Sequence, residues 1–242
     1  MRPIVGLGAL VLSGLLAIAA FSARAEDLKS MPLGAPIKDG ALKIGARTWM
    51  LPAGEWKLGG RHVREVNLNE IRRGAEVIEV MPALIHDGRL QAGLMMTSPT
   101  GSTQISAWRE DSACRVEKAL LKEDDSSVTQ SDCMIIRVQP GIPTKATGAE
   151  IYASAAQWLQ GEAIKTPRPV LQVLIVKYVA SEYFRASCWF DPAVFGLKPS
   201  EVGSLSVAPE SLVQWAKAYR ATISSALGKS WGTYQIPPLP AR

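Results

Sequence analysis

Residues 170–190 carry the clearest strand pattern in the chain after its first 25 residues. Residues 170–179 are almost continuously apolar and rich in β-branched side chains, which is typical of a strand covered on both faces. From residue 183 onward, apolar positions alternate with more polar ones, and a period of two indicates a strand with two different faces. The apolar positions are Phe184, Ala186, Cys188 and Phe190. We therefore predict two adjacent central strands, joined by a turn near residues 180–182, on which the rest of the domain packs.

Shorter strand-like segments, separated by turn residues, fill the chain between residues 41 and 139. The predicted strands cover residues 41–51, 55–68 with an interruption at Gly59-Gly60, 75–85, 90–98, 103–108 and 133–139. Asp87-Gly88 stands between two of them and favours a type I′ hairpin, because both central positions of that turn adopt positive φ. Pro82 cannot donate to a ladder, so it is expected at a sheet edge or a bulge. Residues 122–132 are polar and acidic and predict an exposed loop.

Two segments have apolar residues at helical spacing. Residues 148–163 contain the first set: Ile151, Ala155, Trp158 and Leu159. The second helix is predicted between Pro209, which suits a first helical turn, and Gly228, a common C-terminal stop. Its apolar face carries Leu212, Trp215, Ala216, Tyr219, Ile223 and Leu227. This order of elements predicts an α+β fold, with a mainly antiparallel sheet, an N-terminal β-meander and two amphipathic helices packed on one face.

The predicted α+β domain covers residues 41–242, and two subdomains that meet near residues 141–147 are the alternative. Residues 26–40 are polar and contain two prolines, so they predict a flexible N-terminal arm. The C-terminal segment is proline-rich and extended. Because Ile236 and Leu239 are apolar, docking of this segment on its own domain is favoured over its presentation to a partner.

The first 25 residues have the pattern of a secretory signal peptide. Arg2 precedes an apolar stretch over residues 4–21, and Ala23-Arg24-Ala25 then provides the small residues of a cleavage site. An uncleaved membrane anchor is the alternative, but a small-residue site directly after a short apolar stretch favours cleavage after Ala25. The mature chain is therefore expected in an oxidising compartment, either the bacterial periplasm or the exterior, with no membrane span after cleavage.

The charge of the mature chain does not indicate nucleic-acid binding. The formal net charge of +5 falls to +3 without Arg2 and Arg24 of the leader. The four arginines between residues 61 and 73 are interleaved with glutamates, which is typical of a mixed, solvated surface. With 47% hydrophobic and 20% charged residues, the composition is that of a globular protein.

Two of the three cysteines are expected to form a disulfide. Cys114 and Cys133 flank a polar segment in a chain predicted to be exported, so we predict a bridge between them. Cys188 lies on the apolar face of its strand, where a small buried residue is expected. A nucleophilic role for Cys188 would need a base beside it, and the two histidines, His62 and His86, lie in no nucleophile–base motif.

The sequence contains no motif for metal, cofactor or hydrolytic chemistry. Two isolated histidines and no paired-cysteine spacing fall short of a zinc site. Asp124-Asp125 lacks the ligand alternation and the glycine of a calcium loop. G-x-S-x-G and a glycine-rich phosphate loop do not occur in the mature sequence. We therefore assign no catalytic residue, cofactor or metal ligand.

Aromatic residues are the remaining candidates for a binding surface. Tyr183 and Trp189 alternate outward from the apolar face of their strand, so they either line a ligand or partner surface or lie beneath a helix. We predict an exported, non-enzymatic binding or accessory module for an envelope partner protein or a small-molecule ligand. The alternative is an exported hydrolase with an unrecognised active site, in which titratable groups would converge in a cleft.

Overall fold

Ten strands in two sheets form the framework of the described part of the chain. In the computed structural model this part comprises residues 28–66, 75–100, 114–127, 130–143, 150–179, 182–229 and 231–240. The predicted signal peptide at residues 1–25 and the predicted strand at residues 103–108 lie outside it. Within the described ranges, none of the helices has both the length and the hydropathy that a bilayer crossing requires.

The larger of the two sheets is antiparallel throughout. In chain order the strands are β1 (Ala41–Ile44), β2 (Arg47–Met50), β3 (Trp56–Val66), β4 (Ala75–His86), β5 (Arg89–Pro99), β6 (Leu121–Asp124), β7 (Asp132–Gln139), β8 (Val170–Val179), β9 (Glu182–Phe190) and β10 (Gly232–Gln235). Seven of them form the large sheet, in the order β3-β4-β5-β9-β8-β7-β6. The predicted central strands, β8 and β9, lie in its middle, and the predicted α+β fold is confirmed.

Three α-helices accompany the sheets in the described part: α1 (Glu150–Gly161), α2 (Pro199–Val202) and α3 (Glu210–Leu227). Helices α1 and α3 are the two predicted helices, and the predicted apolar face of each is buried. The prediction that both lie on one face of the sheet is wrong. Met95 and Trp189 belong to the cluster under α1, whereas Leu94 and Cys188 belong to the core that contains α3. Because successive strand residues point to opposite faces, the two helices cover opposite sides.

Local turn and bulge predictions are confirmed on β3, β4 and β5. Asp87 and Gly88 both have positive φ at the β4–β5 hairpin. Pro82 lies opposite Leu58, next to a register shift in β3, so it occupies the expected bulge. Strand β3 continues through the glycine pair instead of being interrupted there. A Cβ on Gly59 would lie 2.8 Å from a ring carbon of Trp158, so the missing side chain lets α1 approach the sheet.

Three segments form strands that differ from the predictions made from their sequence patterns. Residues 41–51 were expected as one strand, but the chain reverses at Gly45, where φ is 61°, and β1 pairs with β2. Strand β10 adds to β2 in parallel and completes a three-stranded sheet. The segment at residues 122–132, expected as a loop, begins with the charged edge strand β6. Charged side chains are common on edge strands because they discourage pairing with other chains.

Most of the predicted flexible arm, residues 26–40, is instead packed on β3. Leu28, Met31 and Ile37 are buried. The Nη1 atom of Arg61 donates to the carbonyl oxygens of Leu28 at 3.0 Å and Met31 at 2.7 Å. Prolines and polar residues suggested a loose segment, but irregularly spaced apolar side chains gain burial without regular secondary structure.

The C-terminal segment docks on the domain, as predicted. Ile236 is fully buried, and its N–H donates to the carbonyl oxygen of Met50 at 2.9 Å. The indole N–H of Trp215 in α3 donates to the carbonyl oxygen of Pro237 at 3.0 Å. The largest apolar cluster thus joins residues from both ends of the described chain. The choice between one domain and two subdomains stays a prediction.

Candidate functional site

A line of polar side chains crosses the large sheet on the face that carries α1. Glu79 on β4 lies opposite His62 on β3 and Thr97 on β5. Thr97 in turn lies opposite Arg185 on β9. From Arg185 the line continues to the residue two positions further along β9, and then to one residue on each of the next two strands, β8 and β7. We call the whole set the polar row: His62, Glu79, Thr97, Arg185, Ser187, Gln172 and Arg137.

Gln172 connects three strands at the second end of the polar row. On β8 it lies opposite Trp189 of β9 on one side and Arg137 of β7 on the other. Its Nε2 atom donates to Ser187 Oγ at 2.7 Å, and its Oε1 atom accepts from Arg137 Nε at 2.6 Å. This chain of hydrogen bonds fixes the orientation of the amide and of the guanidinium plane.

The polar row separates two apolar clusters on the same face of the sheet. On one side, α1 packs on residues that include Met81, Met95 and Trp189. On the other side, the disulfide cysteines pack with Ile135 and Leu174. Burying polar groups costs free energy unless they are hydrogen-bonded, so packing alone does not explain a polar line between two apolar clusters.

Several atoms along this line are deeply buried and lack partners. Thr97 is 2% exposed and Glu79 is 7% exposed. Within the described part of the chain, Thr97 Oγ1, Glu79 Oε2 and Trp189 Nε1 make no hydrogen bond. A buried polar atom without a partner costs about 1–3 kcal/mol. Trp158 Nε1 and Tyr219 Oη, which lie outside the polar row, also lack partners in the described part of the chain. Native proteins contain few such atoms, so the group in and beside the polar row marks a candidate binding site.

Arg137 supplies a half-buried positive charge at the β7 end. Among the described residues it makes no ion pair, and its Nε atom donates to a neutral amide. When the Gln139 amide is turned so that its oxygen faces the guanidinium, that oxygen accepts from Nε at 2.6 Å and Nη2 at 3.0 Å. Burial lowers the pKa of Arg137; the nearby Tyr152 raises it, and the charge of Arg185 lowers it. The cation is therefore surrounded by dipoles that only partly compensate its charge.

The opposite end of the polar row has paired charges. Arg64 Nη2 donates to Glu79 Oε1 at 3.5 Å, a long contact. His62 Nδ1 lies 3.1 Å from Glu150 Oε2 at the start of α1. Acidic and basic groups thus alternate around β3 and β4, whereas Arg185 in the middle of the row and Arg137 at its far end are both cationic.

Tyr152 in the first turn of α1 covers the middle of the site. It is buried, and its ring meets the Trp189 ring edge to face at a centroid distance of 5.5 Å. The Tyr152 hydroxyl interacts with the side chain of Ser187. Burial raises the pKa of Tyr152, so its hydroxyl keeps its proton and is able to donate a hydrogen bond at neutral pH.

The structure changes the assignment of the two aromatic candidates. Trp189 is 1% exposed and lies beneath α1, so it does not belong to an exposed surface. Its position agrees with the alternative of a covering helix, and its role in ligand binding stays a prediction. Tyr183 is half-buried beside the disulfide cluster, and its role in binding stays a prediction.

Sequence reasoning missed the residues that form the polar row. A signal was nevertheless present, because Gln172 interrupts the apolar run at the start of β8, where the side chains are buried. Arg137 and Arg185 likewise occur among buried residues of β7 and β9. Only strand register places these residues side by side, and register cannot be determined from one sequence.

The cysteines lie apart from the polar row's polar atoms and from the histidines. Cys114 and Cys133 form the predicted disulfide, with Cα atoms 5.9 Å apart. Cys188 is a buried free thiol on the α3 face, and burial raises its pKa. His62 lies on the opposite face, and His86 is exposed beside Asp87. In the described ranges, no three His, Cys, Asp or Glu side chains come together as metal ligands.

No protein-family model, curated protein or solved structure matches this chain. The fold and the candidate site are therefore interpreted from the chain's own residues.

Proposed function

We propose that this chain is an exported, non-enzymatic binding module that holds a small polar ligand at the polar row. The observation that carries this proposal is the set of buried polar atoms without partners at Thr97, Glu79 and Trp189. A ligand that supplies the missing hydrogen bonds would recover the free energy that these atoms cost the unliganded protein.

The depth of these atoms favours a small molecule over a protein partner. A protein surface contacts mainly exposed side chains, whereas Thr97 and Ser187 are almost completely buried. In this proposal a small ligand enters between α1 and the disulfide cluster to reach them. The alternative of a hydrolase gains no support from the thiol, because Cys188 and His62 lie on opposite faces of the sheet.

Export is supported by two independent features. The first 25 residues have the pattern of a cleavable signal peptide. The disulfide between Cys114 and Cys133 is of the kind that persists in oxidising compartments. We therefore propose the periplasm, or the exterior, as the site where the module acts.

Ligand retention by the mature protein tests this proposal. The mature chain is incubated with the small-molecule fraction of an envelope extract and separated by gel filtration, and retained compounds are identified by mass spectrometry. We expect Thr97→Val to retain several-fold less compound than the wild type, because a ligand loses a hydrogen bond there. Thr233→Val, at an exposed position of β10, is the matched control and should retain as much as the wild type. Equal retention by Thr97→Val, or retention of a protein alone, would refute the proposed site.

A further inference from the structure

We propose that the ligand presents an oxyanionic group, a carboxylate or a phosphate, to Arg137 at the β7 end of the polar row. This inference rests on the proposed function, because it specifies the chemistry of the ligand held there. Three observations support it: the excess of hydrogen-bond donors over acceptors at that end, the register of three strands, and the distribution of charge.

Hydrogen-bond donors predominate at this end. Indole N–H and guanidinium groups only donate, so Trp189 Nε1 and the Arg137 Nη atoms all require acceptors. Trp189 Nε1 has no acceptor in the described part of the chain. Arg137 Nη1 likewise donates to no described residue, since the contacts of this side chain involve Nε and, with the Gln139 amide turned, Nη2. A ligand that satisfies this end must therefore be rich in acceptors.

Strand register places these donors on one line. Trp189, Gln172 and Arg137 are direct neighbours across β9, β8 and β7. Neighbouring strands are about 4.8 Å apart, so the line spans about 10 Å. Ser187 accepts from Gln172, which leaves its own hydroxyl proton, or that of the interacting Tyr152, to be donated. A small molecule with one oxyanion on Arg137 and further acceptors toward β9 fits this spacing.

The charges near Arg137 also favour an anionic ligand. The charge of Arg185 acts unfavourably on Arg137, so an anionic ligand is preferred over a cationic one beside Arg137. Guanidinium groups bind carboxylates and phosphates through two parallel hydrogen bonds, and such charge-assisted bonds are stronger than neutral ones. The one unpartnered acceptor among the polar-row carboxylates, Glu79 Oε2, lies on β4, at the other end of the row. A cationic ligand at Arg137 would meet two like charges.

Anion titration of the mature protein tests this inference. Inorganic phosphate and acetate are titrated separately by calorimetry against a chloride background of equal ionic strength, so that the two oxyanion types are distinguished. We expect at least one of them to bind the wild type. Arg137→Gln should weaken that binding about tenfold to a hundredfold, because a hydrogen bond to a charged group contributes about 1.5–3 kcal/mol. Arg137→Lys keeps the charge but not the fork, and should fall between the two.

Lys43→Gln is the matched control, because it removes one positive charge from an exposed position of β1. Its anion affinity should stay within about twofold of the wild type if binding is specific. Equal weakening by both variants, or no binding of either anion above chloride, would overturn the inference. Arg137→Lys keeps the test decisive if Arg137→Gln does not fold.

The two proposals fail in different ways. In one outcome, the wild type retains an extract compound through Thr97, neither anion binds, and Arg137→Gln retains the compound fully. The polar row then binds a neutral ligand. In that case the proposed function stands and the oxyanion inference falls. If no compound is retained through Thr97, the proposed function fails, whatever the anion titration shows.

Discussion

At the scale of single residues, Thr97 is the clearest test of whether the polar row serves binding rather than folding. Valine has nearly the same shape and removes a buried hydroxyl that lacks a partner in the described part of the chain. We expect Thr97→Val to leave the free energy of unfolding unchanged or to raise it by about 1 kcal/mol, because an unpaired buried hydroxyl is costly. Urea denaturation of the unliganded mature protein measures the difference.

Thr100 provides the comparison for that measurement. Its Oγ1 donates to Glu76 Oε1 at 2.7 Å, so this hydroxyl has a partner. The same substitution, Thr100→Val, should lower the free energy of unfolding by about 1 kcal/mol. Equal destabilisation by the two variants would mean that the Thr97 hydroxyl is satisfied in solution, and that it marks no binding site.

Single residues also show which features a sequence determines locally. Asp87-Gly88 predicted its hairpin, and Pro82 predicted its bulge, because backbone conformation and the lack of a donor belong to the residue itself. Gln172 and Arg137 did not reveal the polar row in this way. Their chemistry depends on which residues lie opposite them, and these come from strands distant in sequence.

At the scale of elements, periodicity predicted the presence of helices and strands better than their partners. Helices α1 and α3 were found because the spacing of apolar residues is a property of each segment. The pairing of β5 with β9 was not predicted, since the meander pattern gives no indication that β5 skips its next neighbours in sequence. The placement of the helices on opposite faces follows from that sheet order and was missed with it.

The disulfide is the element-scale feature with the most direct stability test. It joins the segment that precedes β6 to β7 across a separation of 19 residues. Closing a loop of that length removes denatured-state entropy equivalent to about 3 kcal/mol in the chain-entropy model. We expect reduction to lower the free energy of unfolding by a few kcal/mol, as measured by guanidinium denaturation with and without reductant.

Cys188 is the internal control for that experiment. It is completely buried under α3, and burial raises its pKa, so alkylation should be slow until the chain unfolds. Non-reducing peptide mapping should give a Cys114–Cys133 peptide and a Cys188 that is alkylated only after denaturation. A linkage through Cys188 in the exported protein would contradict the pairing.

At the scale of the whole molecule, the mature N-terminus decides whether the proposed compartment is right. The pattern of the leader places cleavage after Ala25, so N-terminal sequencing of exported protein should begin at Glu26. The packed residues Leu28 and Met31 follow within a few positions, which is consistent with a folded domain that begins close to the cleavage site. A mature chain that retained residues 4–21 would contradict the assignment.

The small sheet, which consists of β1, β2 and β10, forms only when the two ends of the mature chain come together. Strand β10 pairs with β2, and Gln235 Nε2 donates to the Met50 carbonyl oxygen across a separation of 185 residues. Contacts between such distant residues are entropically expensive to close and form slowly. A polypeptide that crosses a membrane with its N-terminus first cannot form this pairing until almost all of it has emerged. In the proposed export route, the small sheet is therefore completed only by the last segment to arrive.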